Sequence, residues 1–141
     1  MTESQDFPFH HRLRVRWTEV DMQGVVFFGH YVTYFDLAMA EYFRAMGRPY
    51  PDGLVAGGGD LFVKKVDCEY FGSARYDDLL DIGVRTARLG RSSLTLAVAV
   101  TRDGETLAAG EVVYVHADPE SRQSVPLPED LRASIEAFDA G

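Results

Sequence analysis

The spacing of apolar residues changes several times along the chain, and each change marks an element. His11 to Trp17 alternates, with Leu13, Val15 and Trp17 on one side and Arg12, Arg14 and Arg16 on the other. That is the pattern of a half-buried strand with a basic outer face. Residues 1–9 read as a short flexible arm before it, and a turn spans Thr18 to Gly24 after it. From about His30 the period becomes helical: Tyr31, Tyr34, Phe35, Ala38, Tyr42 and Phe43 recur at intervals of three and four, and Gly47 stops the run after Met46. Only Asp36, Glu41 and Arg44 charge this wide band, so the helix needs neighbours on several sides, as in a sheet curled around it.

Residues 48–60 hold two prolines and the run Gly57-Gly58-Gly59, a long loop. Four strand-like segments follow, at Leu61 to Phe71, Leu79 to Arg88, Ser92 to Arg102 and Thr106 to His116. The last three are joined by the short turns Leu89-Gly90-Arg91 and Asp103-Gly104-Glu105, and Asp-Gly between alternating runs is a strong hairpin signal. The tail from 128 to 138 reads as a short helix, opened by Pro128 and the acids behind it. The order is strand, long buried helix, antiparallel meander. It predicts one α+β domain over residues 1–141, a curved sheet of about five strands around one central helix, and not the βαβ alternation of a nucleotide-binding fold.

Composition narrows the partners. A net charge of −8 argues against a general nucleic-acid binder, which gathers Lys and Arg on one face. Local arginines still allow an anionic ligand. The lone cysteine, Cys68, allows no intrachain disulfide and no CxxC site, which suits a cytoplasmic address. The first residues have no apolar run of signal-peptide type, and no stretch approaches the roughly 18 apolar residues of a membrane span. The histidines His10, His11 and His116 have no ligand spacing with each other, so no metal is expected.

The candidate chemistry lies between the first strand and the helix. Asp21 sits in a turn three residues before Gly24, which permits a tight bend and close approach of another molecule. Such an aspartate is commonly a plain turn residue. Here it is followed by the start of a long helix, whose first N–H groups lack partners and carry the positive end of the dipole. Glu19 falls on the same side as Asp21 if the segment is extended; it either raises the Asp21 pKa as a like charge or simply faces solvent.

The window Thr18-Glu19-Val20-Asp21-Met22-Gln23-Gly24-Val25-Val26-Phe27-Phe28-Gly29-His30-Tyr31, followed by Tyr34-Phe35-Asp36, resembles the 4-hydroxybenzoyl-CoA thioesterase family of hot-dog proteins. The stretch Tyr70 to Ile82 and the turn Arg91-Ser92-Ser93-Leu94 resemble it too, so the likeness runs from about residue 10 to about 117. The resemblance implies a hot-dog fold and hydrolysis of a small aromatic or short- to medium-chain acyl-CoA. Asp21 would be the nucleophile or general base, Gly24 would shape its turn, and the Phe28 amide would be the oxyanion donor. Gly29, His30 and Tyr31 would line the site. Arg75, Arg88, Arg91, Ser92 and Ser93 would meet the coenzyme A portion. Coenzyme A belongs to the substrate, and no separate cofactor is implied. The resemblance also implies a homodimer with sites between protomers, assembled as a dimer of dimers, hence a homotetramer. A non-hydrolytic acyl-CoA binder and a hot-dog hydratase or dehydratase remain open alternatives.

Overall fold

A computed structural model describes residues 7–51 and 58–141. In chain order the elements are β1 (Phe9–Arg14), a 3-10 turn (Trp17–Glu19), α1 (His30–Ala45), β2 (Asp60–Val66), β3 (Glu69–Tyr70), β4 (Leu79–Leu89), β5 (Ser93–Arg102), β6 (Glu105–Ala117) and α2 (Glu129–Ala140). The strands form a six-stranded sheet in the order β1-β4-β5-β6-β2, with β3 paired to β6. Every pairing is antiparallel. The sheet does not close; β1 and β2 are its edges.

The helical band of the sequence becomes α1, and its six predicted apolar positions, Tyr31, Tyr34, Phe35, Ala38, Tyr42 and Phe43, are all buried. They pack in one cluster with the inward faces of β4 and β5, including Leu80, Ile82, Leu94, Leu96 and Val100. The sheet therefore wraps the helix, as the width of its apolar band requires. The Asp-Gly hairpin forms as read: Asp103 and Gly104 take φ of 52° and 82°, and Arg102 pairs with Glu105 across the turn.

Three readings need correction. The segment 61–71 is two strands, not one. After Val66 the chain steps over Gly110, where an added Cβ would lie 1.9 Å from the Asp67 carbonyl oxygen. Asp67 accepts the Glu111 N–H on its side chain and donates its own N–H to the Glu111 carbonyl, so the ladder pauses before β3 resumes it. The predicted arm is partly structured: Phe7 is buried against Ala97 and Ala99 on the outer face of the sheet, and β1 begins at Phe9. Trp17 does not continue the inward face of β1; the 3-10 turn carries it into solvent, 73% exposed. Residues 1–6 of the arm and Gly57 of the glycine run lie outside the described residues.

Helix α2 closes one flank of the core through Leu131 and Ile135. Near its end, Asp139 accepts the Tyr42 hydroxyl at 2.5 Å and the Thr86 N–H at 2.8 Å, tying α2 to both α1 and β4. No described helix is long and apolar enough to cross a membrane.

Candidate active site

The segment between β1 and α1 folds back on itself as a small antiparallel loop. Phe27 donates its N–H to the Glu19 carbonyl at 3.0 Å, Val20 bridges Val26, and Asp21 donates its N–H to the Val25 carbonyl at 2.9 Å. Gly24 closes the tip: its φ is 80° and its N–H donates to the Asp21 carbonyl at 2.9 Å. A side chain at this φ would be strained, so glycine suits the bend.

Asp21 is half-buried, at the tip of this loop. Its Oδ1 accepts the Gln23 N–H at 2.8 Å, which is an Asx turn. The plain turn role is thus real, yet it uses one oxygen. Oδ2 has no partner among the described residues. Asp21 lines a hollow of about 810 Å³ with Trp17, Thr18, Val20, Met22, Gly24 and Tyr76. Trp17 and Tyr76 form its wall as an edge-to-face pair, ring centroids 5.7 Å apart.

Phe28 and Gly29 lead into α1. His30 and Tyr31 donate their N–H groups to the Phe27 and Phe28 carbonyls, whereas the Phe28 N–H meets no acceptor among the described residues. The Phe28 carbonyl is also held by the Tyr70 hydroxyl at 2.9 Å, so the peptide before the helix is fixed from β3. Gly29 is the N-cap, and a Cβ there would press to 3.0 Å on the Phe27 ring. His30 is half-buried, with its ring edge-on to Phe27. Tyr31 is different from what the resemblance implied. It is 2% exposed, and its hydroxyl accepts the Ala74 N–H at 2.9 Å, so it is a core pin and not a residue facing a ligand.

Glu19 also departs from both readings of the sequence. It neither faces solvent nor stands as a free like charge beside Asp21. It is 6% exposed and fully bonded. Oε1 accepts the Arg16 N–H at 2.8 Å and the Tyr34 hydroxyl at 2.9 Å; Oε2 accepts from the Arg16 guanidinium at 2.7–2.8 Å. Burial pushes its carboxyl up, but these hydrogen bonds and the Arg16 charge outweigh that and hold it below the usual range. Burial, and after it the bond to Glu19, drives the Tyr34 hydroxyl strongly upward. Glu19 stands three residues after the N-cap Arg16 and accepts its N–H, which is half of a capping box. The guanidinium has no acceptor to supply the other half, so the sequence carries no capping-box signature here. Tyr34 is fifteen residues from Glu19 and could not be paired with it by spacing.

The arginines divide by place. Arg75 stands at the Asp21 end of the molecule: Val25 bridges it, and its N–H donates to Asp78 Oδ2 at 2.8 Å. Arg88, Arg91, Ser92 and Ser93 are at the β4–β5 turn, the opposite end of β4. That strand has 11 residues, roughly 35 Å of extended chain. The structure therefore does not bring this turn to Asp21 within one chain. Arg75, Arg88 and Arg91 make no ion pair among the described residues, whereas Arg12, Arg14, Arg16, Arg48 and Arg102 each have an acidic partner. No group of three or more His, Cys, Asp or Glu among the described residues is placed to hold a metal ion.

A second hollow, of about 350 Å³, lies between α1 and the β2–β6 side of the sheet. Val32, Phe35, Val63, Val66 and Val112 line it, with Thr33, Asp36 and Tyr114 as its polar groups. Burial, and after it the charge of Asp36, drives the Tyr114 hydroxyl far up, so it stays protonated.

Residues 23–109 match the Thioesterase superfamily, and the chain belongs to it. The match begins two residues after Asp21 and covers the rest of the site segment. Over 128 residues the chain is 28% identical to the acyl-CoA thioester hydrolase YbgC of Escherichia coli, covering 90% of this chain and 95% of that one. Among solved structures it is similar to a Thermus thermophilus thioesterase complexed with coenzyme A and Zn, at 34% identity and TM-score 0.82, with 97% of this chain and 98% of that chain covered. A 1,4-dihydroxy-2-naphthoyl-CoA thioesterase from Synechocystis shares the fold at TM-score 0.84 and 17% identity, over 93% and 97% of the two chains. The fold is the hot-dog fold, and the protein is a thioester hydrolase.

Proposed function

We propose that this protein hydrolyses acyl-CoA thioesters to a carboxylate and free coenzyme A, with Asp21 as the reacting carboxylate. The observation that carries the reading is the Asp21 loop itself: one oxygen fixed by the Gln23 amide and the other open at its tip, on a loop whose root leads into α1 through the unbonded Phe28 amide. Water adds to the acyl carbon and the thiolate leaves with a proton, so the site must supply a base or nucleophile and an oxyanion donor. Oδ2 of Asp21 is the atom available for the first task, whether it takes a proton from water or attacks the acyl carbon itself. The Phe28 N–H serves the second, strengthened by the positive end of α1. Gly24 and Gly29 keep the approach narrow and free of side chains.

The site is composite in this reading. β2 is an open edge with Val63 and Val66 exposed, and the hollow beside it is apolar. A two-fold antiparallel pairing of β2 with its copy would cover both and reverse the ends of the sheet. The Asp21 end of one protomer then faces the Arg88–Ser93 end of its partner, which reconciles their separation within one chain. Arg88, Arg91 and Ser93 would receive the phosphates there, with Arg75 contributed beside Asp21. The 350 Å³ hollow suits a small aromatic or short- to medium-chain acyl group. A dimer of such dimers completes the proposed assembly.

A thiol-release assay over a panel of aromatic and aliphatic acyl-CoA esters tests the activity. Release of free thiol from at least one ester, lost in Asp21→Asn, is the expected result. Binding without thiol release by a folded dimer would overturn hydrolysis in favour of an acyl-CoA binder.

A further inference from the structure

Glu19 is the one buried acid among the described residues, and it joins three parts of the molecule. Its side chain takes the Arg16 N–H and guanidinium at the end of β1, and the Tyr34 hydroxyl from the second turn of α1. Its backbone carbonyl takes the Phe27 N–H at 3.0 Å, the bond that closes the Asp21 loop. The loop therefore has Glu19 at its root on one strand and Phe27, next to the Phe28 amide, at its root on the other. A cap for the 3-10 turn alone would need only the Arg16 bonds. The Tyr34 bond does something else, because it fixes the loop root against the helix that presents the Phe28 amide.

We propose that Glu19 is a positioning residue: held by Arg16 and Tyr34, it sets the Asp21 loop at a fixed distance from the first turn of α1. The inference rests on the thioesterase reading for its kinetic consequence, though the clamp itself does not. Displacements on the order of 1 Å at a reacting group cost up to about a hundredfold in rate. A loosened clamp thus lowers kcat more than it changes KM.

Tyr34→Phe removes one hydroxyl and leaves the ring in place; Glu19→Gln keeps the size and removes the charge. Tyr34→Phe should lower kcat about tenfold with KM within about twofold, and Glu19→Gln should lower it further. The double variant should be little worse than Glu19→Gln alone, since both act through one clamp. Amide exchange at Asp21 and Phe27 should quicken in both single variants while exchange in β5 is unchanged. An unchanged kcat in Tyr34→Phe, or additive losses with exchange quickened evenly through the sheet, would overturn the proposal. If the unaltered protein cleaves no thioester, the thioesterase reading fails by itself. The exchange measurement still decides the clamp: no local quickening at Asp21 and Phe27 removes it.

Discussion

At the scale of single residues, the chemistry proposed for Asp21 depends on how few of its bonding sites are used. The Asx bond from Gln23 orients the carboxylate through Oδ1 and leaves Oδ2 without a partner among the described residues. Asp21→Asn preserves the size and the Oδ1 acceptor, so the loop should fold as before while turnover drops by two or more orders of magnitude. Steady-state kinetics beside a thermal melt checks both halves; a melt lowered as much as a core variant would instead mark Asp21 as structural. How much of this was legible follows from distance along the chain. The Asp21–Gly24 turn and the Phe28 amide lie within eight residues of each other, in one window whose resemblance to a thioesterase family suggested the site. Helical spacing does not tell a core ring from a ligand-facing one, so the sequence left Tyr31 in both groups; its acceptor role toward Ala74, which settles its place in the core, spans 43 residues. Glu19 was misread for the same reason, its decisive partner Tyr34 being on another element.

Whole elements were legible where one physical demand dominated. The α1 band and the Asp103-Gly104 turn each follow from periodicity or from positive φ, and each formed as read. The β2–β3 break was not legible, because its cause is a glycine on a different strand. Gly110→Ala should therefore be costly: its Cβ would meet the Asp67 backbone and not a movable side chain. Overpacking of this kind costs about 1–3 kcal/mol. The expected readout is a lower denaturant midpoint with loss of amide protection at Phe71, which bonds the Leu107 carbonyl below β3. A second element-scale effect depends on pH. Asp78 links the 75–78 turn to the end of β5 through Arg102 at 2.8 Å and the Arg75 N–H. Burial raises its carboxyl, but the bonds from Arg102 and Arg75 prevail and leave it below its ordinary value. A depressed folded pKa stabilises the native state above the unfolded carboxylate value and loses that contribution as pH falls through the folded pKa. Asp78→Asn should thus cost about 1 kcal/mol at neutral pH. The difference from the unaltered protein should vanish as melts are taken to pH values below the ordinary carboxylate range. A gap that persists in strong acid would assign the loss to packing.

The whole molecule presents a problem that no residue within one chain solves. An open antiparallel edge with exposed valines invites pairing, and soluble proteins rarely leave such an edge uncovered. Meanwhile Arg88 and Arg91, which make no ion pair among the described residues and suit a phosphate-bearing substrate, lie a strand length away from Asp21. The two-fold pairing proposed through β2 would answer both, covering Val63 and Val66 and bringing the far turn of one chain toward the near loop of the other. A dimer was already expected from the sequence, but the strand that would pair was not legible, because an edge becomes an edge only when the sheet order is known. Val63→Glu and Val66→Glu, introduced together, place a pair of like charges opposite their own copies. The double variant should sediment as a monomer where the unaltered protein is a dimer or larger. Turnover should fall with the dimer population, although Asp21 and its loop are untouched. Arg91→Ala gives the complementary signal: it should leave assembly intact and raise KM for acyl-CoA severalfold, less so at high salt, where charge attraction is screened. Mixing it with inactive Asp21→Asn chains then separates the arrangements. A site shared between chains has two kinds of interface in such a heterodimer, one carrying both defects and one carrying neither, so activity with an unaltered KM should reappear on mixing. Should the mixed sample keep the raised KM of Arg91→Ala, Arg91 serves the Asp21 of its own chain and the composite site is wrong.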